Sequence, residues 1–127
     1  MPHTPTTVTV LIPLPRFYNA DETGAREPIE DDKYTATCDE IATALYVGGW
    51  IYKFDEGKAE GFWWHKGIVG YDVQALLEVD VEDTAANRAW FRRYAKEVLK
   101  PRFRQIAIYL KFVAPVDTLE VSDETIT

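Results

Sequence analysis

DVQALLEVDVEDT, residues Asp72 to Thr84, carries the reading of the fold. Val73, Ala75, Leu77, Val79 and Val81 alternate with Gln74, Leu76, Glu78 and Asp80, which is the two-residue period of a strand. One face is wholly apolar and the other mixed, so the strand covers a core on one side only. Asp83 or Thr84 then caps a helix whose stripe is Ala86, Trp90, Tyr94 and Val98, widened by Phe91 and Leu99. Pro101 ends or kinks that helix. Ile106, Ile108, Leu110 and Phe112 alternate in a following strand that Pro115 breaks.

Toward the N-terminus the same periods recur. Val8, Val10, Ile12 and Leu14 mark a strand, closed by Pro13 and Pro15. Residues 16–30 form a long polar loop with turn residues at Asn19, Asp21 and Gly24. A helix capped by Asp31 or Asp32 follows, with Tyr34, Cys38, Ile41, Ala42 and Leu45 on one stripe, and Gly48-Gly49 stops it. Trp50, Tyr52 and Phe54 alternate in another strand. Asp55 to Lys58 reads as a hairpin turn, Gly61 to Trp64 as the short return strand, and His65-Lys66-Gly67 as the start of a loop reaching Gly70.

The order strand, helix, strand with a hairpin, strand, helix, strand predicts an α+β fold. Its form is the ferredoxin-like split β-α-β: a four-stranded antiparallel sheet, two helices on one face and an extra hairpin. The 127 residues make one domain, with an ordered core over about 7–113 and an acidic segment over 114–127.

Five short motifs keep a fixed order: Gly48-Gly49-Trp50, Gly61-Phe62-Trp63, Val79 to Thr84, Trp90-Phe91 and Arg102-Phe103-Arg104-Gln105. Together they resemble uncharacterised small bacterial and phage-type proteins of ferredoxin-like shape, over roughly residues 8–113. The resemblance implies the same fold and brings no catalytic residues.

Composition removes several classes. Hydrophobic residues reach 46% and aromatic residues 13%, too many for a disordered chain. No apolar run approaches the roughly 20 residues of a membrane-spanning helix. Cys38 is the single cysteine, so neither a disulfide framework nor a cysteine zinc cluster is possible. The N-terminus has no basic segment ahead of its apolar residues, and with one thiol the expected location is the cytoplasm. The net charge of −7 opposes binding to a polyanion, so nucleic acid is not the expected partner. Charge is uneven, however: Arg88 to Arg104 holds seven bases and one acid, and four acids without a base follow Lys111.

Four constellations could carry chemistry. The first is aromatic. Trp50, Tyr52, Trp63 and Trp64 flank the expected hairpin, and with His65 and Tyr109 they are the candidates for a ligand pocket or an interface. Packing inside a small sheet is the plainer reading of these rings. The second is the row Glu78, Asp80 and Glu82. It reads as a solvated face paired with Lys53 or Lys111, because one strand gives a row and no cage for a cation. No metal or cofactor is expected. The third is His65, a weak candidate for a general base, since no nucleophile stands beside it. Cys38, on an apolar stripe, reads as a small core residue. The fourth joins Arg16, Tyr18 and Arg26 in the first loop to Arg102, Arg104 and Gln105 after the second helix. Arginine forks suit carboxylate or phosphate. Bases at a helix C-terminus also serve the dipole alone, and element order leaves open whether the two groups meet.

The expected function is a small interaction module acting as a homodimer, more binder than enzyme. The alternative is a small-molecule binder or small enzyme with an aromatic-lined pocket near Trp50, Trp63, Trp64 and His65.

Overall fold

The computed structural model describes residues 6–53 and 60–123, with residues 63, 65 and 70 described by backbone alone. Five strands form an antiparallel sheet, and the helices pack against it in an α+β arrangement. In chain order the elements are β1 (Thr7–Pro15), α1 (Asp31–Leu45), β2 (Gly49–Lys53), β3 (Glu60–His65), β4 (Ile68–Glu82), α2 (Ala85–Tyr94), a π-helical turn (Ala95–Leu99), α3 (Lys100–Arg102) and β5 (Lys111–Val116). The sheet runs β2-β4-β1-β5, and β3 also pairs with β4.

β1 and β4 are the central pair. Their register sets Val8 against Val81, Val10 against Val79, Ile12 against Leu77 and Leu14 against Ala75. All eight side chains are buried, so alternation along both strands feeds one core. β1 runs through Pro13 and ends on Pro15. β5 pairs with β1 only as far as Leu11, so beyond it one side of β1 is an edge. A proline there removes no ladder bond.

Helix α1 starts at Asp31, and its cap lies one residue before the nearer of the two expected caps. Glu30 is its N-cap and makes no side-chain capping bond. Tyr34, Thr37 and Ile41 are its buried stripe, with Cys38 and Leu45 partly covered. It stops at Tyr46, which takes the left-handed conformation before the glycine pair. Gly49 has a different duty. A Cβ there would sit 2.4 Å from the Glu78 carbonyl oxygen, so only glycine lets β2 close on β4.

Helix α2 is capped by Thr84, whose hydroxyl accepts from the Asn87 N–H at 3.0 Å. Asp83 instead holds Arg88 at 2.7 Å. The buried face is Phe91, Ala95, Leu99 and Phe103, with Tyr94 beside it. Trp90, expected in the core, is only half-buried and stacks on Tyr94 with centroids 4.7 Å apart. The π-turn explains this phase. Residues at every fourth position drift around a 3.6-residue helix, and a wider turn takes up the drift. The turn also precedes Pro101, which cannot donate and whose ring would strike the carbonyl four residues back. The Lys100 N–H reaches the Ala95 carbonyl instead.

Two further expectations change. The last strand begins at Lys111, not Ile106, and continues through Pro115 to Val116. Ile106 is 90% exposed, while Ile108 and Leu110 pack on the core without a ladder. The hairpin also lies elsewhere. β2 and β3 are both antiparallel to β4, so they run the same way and β3 is not the return of β2. The turn expected at 55–58 lies outside the described residues. The hairpin is β3–β4, closed by Lys66 and Gly67 at φ of 49° and 82°, both in the left-handed region that a tight two-residue hairpin turn demands.

Candidate functional site

β1 stops pairing with β4 at Gln74, yet β4 extends back to Ile68 and β3 follows it. Residues 60–73 therefore form a two-stranded arm about 20 Å long, at about 3.3 Å per residue. Register places Phe62 against Tyr71 and Trp64 against Val69 on one face. Phe62 is 76% exposed, Trp64 73% and Tyr71 62%; Val69 is also exposed, as is Ile68 on the other face. A two-stranded ribbon is marginal in water unless something covers it. A continuous apolar face left in solvent marks an interaction surface.

Of the aromatic candidates, Trp64 belongs to this arm. Trp63 and His65 stand opposite Gly70 and Ile68 in the register, and their side chains lie outside the described residues. Trp50 and Tyr52 are elsewhere: they oppose Glu78 and Leu76 on the helix-free face of the sheet, where the Trp50 indole N–H donates to the Tyr52 hydroxyl. Trp64 and Trp50 pair with positions nine residues apart on β4, which is about 30 Å. The two do not share a pocket. Tyr109 is 68% exposed ahead of β5, at the end of the sheet from which the arm leaves.

The carboxylate row remains on the helix-free face. Asp80 accepts a hydrogen bond from the Thr9 hydroxyl. Lys111 stands opposite Leu11, and Leu11 opposite Glu78, so the expected cation is one strand too far. Lys53 pairs with Asp31 instead. Among the described residues no three His, Cys, Asp or Glu side chains gather as a metal site.

A slot of about 200 Å³ opens between α1 and β2. Cys38, Ile41, Val47, Trp50, Leu77 and Val79 are among its walls. Burial, helped by Asp39, pushes the Cys38 thiol up, so it stays protonated and unreactive at neutral pH. A shallower groove between α1 and α2 is lined by Asp39, Glu40, Thr43, Ala44, Trp90 and Tyr94.

The two arginine groups do meet. The loop after β1 is tied down: the Arg16 N–H donates to the Val73 carbonyl, Ile29 to Arg16, and Asp21 accepts from the Thr23 and Ala25 N–H groups. Arg26 reaches Asp72 at 2.9 Å at the root of the arm. Tyr18 is thereby buried beside the end of the second helix, and the Arg104 guanidinium lies over its ring at 4.5 Å. Lys33 is 4.8 Å from the same ring centre and donates to the Tyr18 hydroxyl and the Arg102 carbonyl. Arg102 itself is structural. It holds both Glu40 oxygens, at 2.9 and 2.7 Å, and Thr37 Oγ1 at 2.9 Å. That bond holds the Glu40 carboxyl below its ordinary range. Burial, with Glu40 close by, drives the Tyr94 phenol well above its own.

Phe62, Ile68, Val69 and Tyr71 were not singled out by sequence, and neither was Lys33. The signal for the arm was there: between Gly61 and Tyr71 the polar half of a half-buried strand's alternation is nearly missing. No protein-family model matches the chain, and a search of curated proteins finds no match.

Proposed function

We propose that the protein is a small interaction module of ferredoxin-like split β-α-β form, akin to the small bacterial and phage-type proteins its motifs resemble, and that it works as a cytoplasmic homodimer joined through the β3–β4 arm. The strand order β2-β4-β1-β5 with every pair antiparallel supports the fold. The exposed face of Phe62, Trp64, Val69 and Tyr71 is the observation that carries the function. A second copy suits it, because a two-fold interface needs one patch that is complementary to itself. An apolar face avoids the repulsion that a chain of net charge −7 meets elsewhere. The helix-free face suits it less, since Glu78, Asp80 and Glu82 would confront their own copies.

Light scattering at micromolar concentration tests the reading. The expected mass is about 29 kDa, twice the 14.5 kDa of the chain. Phe62→Ser with Trp64→Ser should return the monomer mass with secondary structure retained by circular dichroism. A monomer at every dilution of the unaltered protein overturns it. Weight would then pass to a second reading, a binder of small apolar molecules, which the slot beside Trp50 and Cys38 favours.

A further inference from the structure

Around Tyr18 and Tyr34 the chain gathers more positive charge than its folding uses. Arg104 and Lys33 lie over the Tyr18 ring; Arg16 and Lys53 lie over the Tyr34 ring at 5.0 and 5.4 Å. All four stand at the first turn of α1, whose N-terminal N–H groups have no side-chain cap. Lys33 pairs with Glu30 at 3.5 Å, Lys53 with Asp31 at 3.7 Å, and the neighbouring Arg26 and Arg102 with Asp72 and Glu40 at 2.9 and 2.7 Å. Among the described residues, Arg16 and Arg104 have no carboxylate within ion-pair distance, in a chain where acids outnumber bases 21 to 14. Arg16 Nη1 is buried and makes no hydrogen bond. An unmet buried donor destabilises the fold, and the stacking of Arg16 on Tyr34 does not satisfy it. The helix dipole accounts for a base at the end of α3, but not for Arg16, which leaves a strand. Arg104 is also held at φ 52°, one of three described non-glycine residues in the left-handed region. That conformation closes the second helix, with the Gln105 N–H donating to the Lys100 carbonyl, and it sets where the Arg104 side chain leaves the chain.

We propose that Arg16 and Arg104, with Lys33 between them, form a binding site for the oxyanion group of a small molecule, a phosphate or a carboxylate. Two guanidinium forks with no carboxylate partner among the described residues match such a group in charge and in donor geometry. The start of α1 adds backbone dipole of the right sign, against the charge of Asp31 and Asp32 in the same turn. The Tyr18 hydroxyl accepts from Lys33 and donates to Glu30, which fixes the Lys33 ammonium beside the ring that Arg104 covers.

Titration with inorganic phosphate and, separately, with acetate tests the site, followed by backbone amide shifts. Saturable shifts at Tyr18, Lys33 and Arg104 at low-millimolar ion are expected. Arg104→Gln should weaken binding about tenfold or more, the loss of one charge-assisted contact. Its side chain is exposed, so melting should not move; Arg16→Gln should repeat the loss. Arg92→Gln, on the exposed side of α2, should bind as the parent does. Phe62→Ser should also leave binding intact, which separates this site from the arm. The ion that saturates identifies phosphate or carboxylate as the ligand class. No saturable shift with either ion overturns the proposal, and so does an equal loss in Arg92→Gln.

Discussion

Single residues decide how the two helices are held. Arg102 spans them by gripping Glu40 and Thr37 of α1, and the Tyr94 hydroxyl donates to Glu40 at 2.7 Å. Because the Glu40 carboxyl titrates lower in the folded protein than in the unfolded chain, its contribution is complete above the unfolded value and is lost as pH falls through the folded one. Glu40→Gln should therefore lower stability at neutral pH. The gap from the parent should close as pH drops below about 4, in the carboxylate range. Urea melts across pH 3–7 check this, and a gap that persists at pH 3 counts against it. The neighbours Trp90 and Phe91 separate in the same way. Phe91 is fully buried, and Phe91→Ala should cost about 3–5 kcal/mol. Trp90→Ala removes a half-buried ring stacked on Tyr94 and should cost about 1–2 kcal/mol. Thermal melts of the two variants rank them.

At the scale of elements, β2 is the least secured strand of the sheet. It has five residues, and its approach to β4 depends on Gly49. Gly49→Ala should cost about 1–3 kcal/mol through overpacking and speed amide exchange in Trp50 and Tyr52. Gly48→Ala meets open space and should be tolerated. If the two variants melt alike, the close approach is not what selects glycine. The arm is an element of another kind. It adds large apolar side chains without adding to the core, so its variants should alter assembly while the fold itself is kept. The second helix lies between these cases, since its π-turn brings Leu99 and Phe103 to the core face ahead of Pro101.

For the whole molecule, both candidate surfaces lie at one end. The arm leaves the sheet where β1 stops, the loop carrying Tyr18 starts there, α1 begins there, and the second helix delivers Arg104 there. The opposite charge balance prevails elsewhere, with four acids after Lys111. Double-stranded DNA should accordingly not bind at submicromolar concentration in physiological salt, because the net charge of −7 opposes counterion release. A salt-sensitive mobility shift below that concentration would contradict this. Dimer formation through the arm would place two anion sites on one particle, so phosphate titration should show two equivalent sites per dimer.

Local patterns sufficed for the two central strands, both helices and the Thr84 cap. A two-residue or 3.6-residue period and a capping hydroxyl act within a few residues of themselves. Val8 to Leu14 and Val73 to Val81 could thus be assigned to one buried face from the chain alone. The α1 stripe also lay open to that reading, except that Ala42 is exposed and Thr37 took a core place beside Arg102. Tertiary structure decided everything that rests on a distant partner. Proline survives in β1 because β5 ends early, and β3 follows β2 in direction because both lie along β4. Phe91 displaces Trp90 because the π-turn sets the phase of the whole helix. The arm's apolar residues resembled core residues, and only the absence of any described element over them shows that they face solvent. Tyr18 and Arg104 are 86 positions apart, and no local period encodes their meeting. It follows from β1 and the second helix ending at the same side of the sheet, which side-chain burial selects and sequence spacing does not.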